Sequence, residues 1–286
     1  MTWTMTADRS VLIEPDGLAE RLATDQPPVL ADVRWTLGGP PGLPDYEAEH
    51  IPGAHWVDLE QHLSGLPGVG GRHPLPDPAR FQAAMRAIEV RRDRPVVAYD
   101  ADNSQAAARL WWLLTDAGHD AVLVLNGGLA AWRAAGLTTE SGPSPVTAPG
   151  DFVARPGQRA QLTANDIGAD LAGEQRLRLV DVRALERYSG ESEHIDPVAG
   201  HIPGAVNLPS MANLDADGRF LDGPTIARRF ADAGVGTEAV VYCGSGITAA
   251  HSLLAMELAG LTGVLYPGSW SDWITDPRRP VALGSA

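Results

Sequence analysis

Four short motifs occur twice in this chain, in the same order and at nearly the same spacing. Asp32-Val-Arg34 returns as Asp181-Val-Arg183, and His50-Ile-Pro-Gly-Ala54 returns as His201-Ile-Pro-Gly-Ala205. Val96-Val-Ala-Tyr-Asp100 pairs with Ala239-Val-Val-Tyr-Cys243, and Gly127-Gly-Leu-Ala-Ala-Trp132 with Gly268-Ser-Trp-Ser-Asp-Trp273. The offsets are 149, 151, 143 and 141 residues. Four paired motifs in register make the chain an internal duplication, so any fold assigned to one half must also suit the other. With 286 residues, each half is long enough to bury its own core. The Pro-, Gly- and Ser-rich stretch between Ser141 and Gly157 reads as an extended connection. The expected division is a first domain over 1–142, a linker over 143–162 and a second domain over 163–286.

Each half alternates short β-favouring runs with helical segments. The strand candidates are 29–33, 96–99 and 121–125 in the first half, and 177–182, 239–242 and 264–266 in the second. The helix candidates are 81–88, 105–117, 226–233 and 247–259. This alternation predicts an α/β fold, with a mainly parallel sheet in each half and helices on both of its faces. Such sheets carry their sites at the carboxyl ends of strands. Cys243, the only cysteine of the chain, falls at such an end.

Behind Cys243 comes Gly244-Ser-Gly-Ile-Thr248, and then an Ala/Leu-rich segment that stops at Gly260. The thiol is thereby set at a helix N-terminus, where unpaired N–H groups and the positive end of the helix dipole favour a thiolate and an anion bound beside it. In the other half Asp100 stands at the cysteine position, followed by Ala-Asp-Asn-Ser with no Gly-x-Gly turn. A carboxylate cannot carry a transferable sulfur atom, so the first copy is expected to be catalytically silent.

Cys243-Gly-Ser-Gly-Ile-Thr248 resembles the active-site loop of the rhodanese superfamily, in particular its two-domain mercaptopyruvate and thiosulfate sulfurtransferases. Gly200-His-Ile-Pro-Gly-Ala205, Arg187-Tyr-Ser-Gly190 and Gly268-Ser-Trp-Ser-Asp-Trp273 carry the same resemblance, which covers nearly the whole chain. It implies tandem rhodanese-like domains, a silent first one and a catalytic second one. It also implies a double displacement in which Cys243 takes sulfur from a donor as a persulfide and passes it to a thiol or cyanide. Gly244 and Gly246 then let the backbone approach the sulfur, while Ile247 and Thr248 open the helix beneath it. Ser245 and Thr248 offer hydroxyl donors. Arg187 matches the family's anion-binding arginine, and a guanidinium suits a carboxylate or sulfonate. His73-Pro-Leu-Pro76 and Asp58-Leu-Glu60 resemble the segments that supply a histidine and an acid to a relay with the loop serine, which assigns Glu60, His73 and Ser245 to proton movement. The mercaptopyruvate enzymes have a second arginine shortly before Gly-His-Ile-Pro-Gly. Here Glu191-Ser-Glu-His-Ile-Asp196 contains none, and His194 lies nearest that place. The loop favours mercaptopyruvate as donor, and the missing arginine keeps thiosulfate in play.

Composition narrows the partners. A net charge of −14 opposes a general nucleic-acid or anionic-membrane surface. An anionic donor must therefore be drawn by a few arginines and backbone amides. A single cysteine allows no internal disulfide, residues 1–10 have no signal-peptide pattern, and no apolar run spans a bilayer. A cytoplasmic enzyme without metal or other cofactor is the expectation, with residues 1–10 as a solvated extension. The related phosphatase loop ends in an arginine that would fall at Ala249, which disfavours phosphate chemistry. The remaining alternative is a noncatalytic rhodanese-fold sulfur carrier or binding module.

Overall fold

The computed structural model describes residues 11–284; the expected amino-terminal extension lies outside them. The first half forms a five-stranded parallel sheet from β1 (Leu12–Ile13), β2 (Val29–Asp32), β3 (Ala54–Trp56), β4 (Val96–Tyr99) and β5 (Val122–Leu125), in the order β1-β5-β4-β2-β3. The second half forms a four-stranded parallel sheet from β6 (Leu179–Asp181), β7 (Val206–Asn207), β8 (Ala239–Tyr242) and β9 (Gly263–Leu265), in the order β7-β6-β8-β9. The central strands β2, β4, β6 and β8 are buried throughout, as parallel strands covered on both faces must be. A lone parallel bridge from Gln161 to Leu265 stands where β1 pairs with β5 in the first sheet.

The repeated motifs do the same work in both copies. Asp32 and Asp181 each accept a two-pronged hydrogen bond from the arginine two residues on, Arg34 and Arg183, at the buried end of β2 and β6. Those arginines also donate to the carbonyls of Glu49 and Gly200. His50 stacks on Tyr46 and His201 on Tyr188, each bonding that tyrosine's carbonyl at 2.8 Å. The hydroxyls of Tyr99 and Tyr242 accept from the N–H groups of Ile51 and Ile202. Each set ties the His-Ile-Pro-Gly turn to the central strands, which is a structural role, not a catalytic one.

The two halves share one apolar core. Helices Gln105–Asp116 and Ile247–Leu258, which follow β4 and β8, lie against each other and join residues of both sheets into a continuous buried cluster. The carboxyl ends of β4 and β8 therefore face one boundary.

The connection runs without helix or strand, strapped to the first domain around residues 150–155 and bonded to the second domain from Arg159 onward. Gly150 donates to the Arg86 carbonyl and Arg155 to that of Ala117, while Phe152 is buried edge-on against Phe81. Two of the expected helices start at other residues than the sequence reading gave. The helices expected over 81–88 and 226–233 begin earlier, as Pro78–Ala87 and Gly223–Asp232, because Asp77 and Asp222 cap them by accepting N–H groups of the first turn.

Candidate active site

Cys243 follows β8 directly and is buried. Its Sγ accepts the Gly246 N–H at 3.1 Å, and its own N–H donates to Ser269 Oγ. The loop is pinned from beneath, because Trp270 N–H donates to the Cys243 carbonyl and Ser271 N–H to that of Gly244. Gly246 has φ +81°, and a Cβ there would sit 2.3 Å from the Pro267 carbonyl oxygen, so both backbone shape and space demand glycine. Ile247 is buried at the first helical position, and Thr248 hydroxyl donates across the domain boundary to Gln105 Oε1 at 3.2 Å.

The first domain, with Asp100 at the cysteine position, shows what this cradle holds. Ser104 N–H donates to Asp100 Oδ1 at 2.9 Å, as Gly246 N–H does to Cys243 Sγ. Ala106 and Ala107, in the first turn of their helix, donate to Asp100 Oδ2 at 3.0 and 3.2 Å. The first domain thus fills its helix-terminal anion seat with its own carboxylate. Burial pushes the Asp100 carboxyl up to about 6, against the pull of those three N–H groups.

Glu60, His73 and Ser245 form a chain across the boundary. His73 Nδ1 lies 2.7 Å from Ser245 Oγ, and His73 Nε2 lies 3.1 Å from Glu60 Oε1. Trp35 Nε1 donates to the same carboxylate oxygen at 2.9 Å and packs its ring edge-on to His73. A carboxylate at Nε2 makes that nitrogen the donor and leaves Nδ1 to accept the serine proton. Burial lowers the His73 pKa below its ordinary value, outweighing the Glu60 charge, so the ring is neutral at pH 7.

Arg187 sits beside the loop with its Nη1 3.6 Å from where a Gly244 Cβ would be. Its Nε donates to Glu193 and its Nη2 to Asp196 Oδ2, at 2.9 and 2.8 Å. His194 does not join them: it is exposed and bonds Ser192 Oγ, whereas the Glu193 and Asp196 side chains of that segment turn inward. Hydrogen bonds donated by the N–H groups of Ile195 and Asp196 to Glu193 Oε1 fix this turn and leave His194 on its outer side.

Two arginines of the first domain complete the surroundings. Arg109, fully buried, donates to the carbonyls of Leu63, His73 and Pro74 and to that of Gly246, so it staples the histidine segment to the Cys243 loop. Burial lowers its pKa to about 10, which keeps it charged. Arg72 bonds Asp196 Oδ1 through Nη1, and its Nη2 comes 2.8 Å from the Gly244 Cβ position. Neither was anticipated. The only hint in the sequence is that Arg72 directly precedes His73.

The rhodanese-like domain model matches residues 14–135 and again 163–276. The chain belongs to the rhodanese family. It is 48% identical to a Pseudomonas aeruginosa protein named as a probable 3-mercaptopyruvate sulfurtransferase, over 96% of this chain and 98% of that one. It is 34% identical to the 3-mercaptopyruvate sulfurtransferase of Escherichia coli K12, over 93% and 95% of the two chains. A Mycobacterium tuberculosis relative, 44% identical over 99% and 100%, carries a provisional name as a thiosulfate sulfurtransferase. The crystal structure of Escherichia coli SseA, a 3-mercaptopyruvate enzyme, superposes with a TM-score of 0.80 at 32% identity, covering 92% of this chain and 99% of that one.

The protein is an enzyme of the sulfurtransferase class, built from two rhodanese domains, and acts between a sulfur donor and a sulfur acceptor. Among the described residues no helix is long and apolar enough to cross a membrane, and no group of His, Cys, Asp and Glu is placed to hold a metal ion.

Proposed function

We propose that the chain moves sulfur from 3-mercaptopyruvate to a thiophilic acceptor, a thiol or cyanide, through a persulfide on Cys243. The observation that carries this reading is the Glu60–His73–Ser245 chain ending at the Cys243 loop, because only the mercaptopyruvate reaction needs a proton moved. The Cys243 thiolate attacks the donor's sulfur, the S–Sγ bond forms, and the bond from sulfur to the methylene carbon breaks with its electron pair going to the pyruvate enolate. Neutral His73, acting through Ser245, takes the donor's thiol proton and returns it to that carbon. Pyruvate leaves, and the outer sulfur stays on Cys243 as a persulfide anion. The seat that Asp100 Oδ2 has in the first domain suggests its partners: the N–H groups of Thr248 and Ala249, at the helix positions of Ala106 and Ala107. An acceptor thiolate or cyanide then takes the outer sulfur and frees the Cys243 thiolate.

Thiosulfate is a second reading, supported by the guanidinium groups of Arg72 and Arg187 over Gly244, which suit a sulfonate as well as a carboxylate. Cleavage of thiosulfate releases sulfite and asks nothing of the relay. Steady-state comparison of the two donors with cyanide as acceptor separates them. A higher kcat/KM for mercaptopyruvate supports the first reading, and a higher value for thiosulfate replaces it with the second. A free catalytic thiol suits a reducing compartment, and the cytoplasm is the proposed location.

A further inference from the structure

The donor's anionic group needs more positive charge than Arg187 alone supplies. Within a chain of net charge −14, Arg187 is already bonded to Glu193 through Nε and to Asp196 through Nη2. Only its Nη1 is left facing Gly244. No second arginine follows on the same segment, and His194 turns outward.

Arg72 arrives from the opposite side of the boundary. Its N–H is held by Ser271 Oγ at 3.0 Å, and its Nη1 is paired with Asp196 Oδ1, while Arg187 takes Asp196 Oδ2. Asp196, almost wholly buried, thus bridges one guanidinium from each domain. The other edge of Arg72 is open. Its Nε is buried without a hydrogen-bond partner, and its Nη2 makes no hydrogen bond among the described residues and reaches within 2.8 Å of the Gly244 Cβ position. Nε and Nη2 form the side-on fork by which Arg34 and Arg183 grip Asp32 and Asp181 in this same protein. A guanidinium fork whose Nε is buried without a partner costs free energy until an anion fills it. The Cys243 charge acts on Arg72 directly, which places the fork within electrostatic reach of the sulfur.

We propose that Arg72 of the silent domain is the second anion-binding residue of the active site: its Nε/Nη2 fork and Arg187 Nη1 together hold the carboxylate of the donor above Gly244. The role rests on the donor chemistry proposed above. It gives the first domain a direct part in substrate selection, and it explains the glycine at 244, since a methyl group there would fill the seat. A sulfonate of the same reach would use the same fork.

The test compares Arg72→Gln and Arg72→Lys with the parent enzyme in two ways. With 3-mercaptopyruvate and cyanide, Arg72→Gln raises KM by roughly tenfold or more, kcat falls by a smaller factor, and Arg72→Lys, which keeps the charge without the fork, lies between. Independently of sulfur transfer, the rate of Cys243 alkylation by iodoacetate is divided by that by neutral iodoacetamide. This ratio falls by roughly tenfold in Arg72→Gln, because only the anionic reagent uses the seat. A general loss of structure changes both alkylation rates alike and leaves the ratio in place. A ratio unchanged in Arg72→Gln overturns the role of Arg72 whatever the donor is. A parent enzyme inactive on mercaptopyruvate, with the ratio still dependent on Arg72, instead overturns the donor assignment and leaves the anion seat standing.

Discussion

His73 and Ser245, separated by 172 residues and contributed by different domains, meet with Nδ1 2.7 Å from Oγ. The contact is held where helices Gln105–Asp116 and Ile247–Leu258 pack together, where Arg109 ties the His73 carbonyl to that of Gly246, and where the Arg72 N–H donates to Ser271 Oγ. The first domain is therefore one wall of the candidate site, and the first consequences to test lie on this contact.

If His73 and Ser245 act as a unit on mercaptopyruvate, alanine at either position lowers kcat for that donor by roughly a hundredfold, and the double variant is little worse than either single one. Thiosulfate turnover is nearly spared. Because burial lowers the pKa of His73 from 6.5, the ring is the neutral base through neutral pH, and kcat falls only below the ordinary histidine range. Additive losses, or equal losses for both donors, would show that the two residues work separately. Steady-state kinetics over a pH series reads all three outcomes.

Arg187→Ala raises the donor KM by roughly tenfold or more, since a hydrogen bond to a charged group contributes about 1.5–3 kcal/mol. Turnover at saturating donor suffers less. The variant also takes one cationic partner from each of two buried carboxylates, leaving Asp196 to Arg72 and Glu193 to Arg183, so a lower melting temperature accompanies the kinetic change. An unchanged KM for both donors would assign Arg187 to structure alone.

Asp100 gives the fold a measurable pH dependence. Its carboxyl titrates near 3.8 in the unfolded chain and at about 6 in the folded one, so the folded state holds the proton more tightly. The associated stability is full below pH 3.8 and is lost as the pH rises through about 6. Measured against Asp100→Asn, which does not titrate, the melting temperature of the parent protein falls progressively across that window and runs parallel above it. A constant difference at every pH would mean that the Asp100 carboxyl is not shifted by its buried seat.

Much of the architecture was legible because it is written twice. The paired Asp-x-Arg, His-Ile-Pro-Gly and strand-end motifs located the central strands β2, β4, β6 and β8, and the unequal residues Cys243 and Asp100 told the two copies apart. The edge strands β1, β3 and β7 and the short helices Leu43–Ala48, Leu59–His62 and Leu185–Ser189 were not read, being two to six residues long and set by tertiary packing, not by periodicity. Arg72 and Arg109 escaped for a related reason. An arginine in a loop or on a helix looks the same in sequence whether it meets solvent or a partner domain, and only the docking of the two sheets brings these two to the Cys243 loop. The inward turn of Asp196 in place of His194 depends on the Glu193 side chain bonding the backbone ahead of it, a choice among neighbours that counting residues does not resolve.

The central claim is that Cys243 carries the sulfur. Its most direct test is the intact mass of the protein after brief exposure to 3-mercaptopyruvate, with peptide mapping of the adduct and a parallel sample treated with cyanide. The account predicts a gain of one sulfur atom on the peptide containing Cys243, its removal by cyanide with release of thiocyanate, and no adduct in a folded Cys243→Ser variant. Sulfur transfer that persists in Cys243→Ser, or turnover by the parent protein with no sulfur ever found on Cys243, would contradict it.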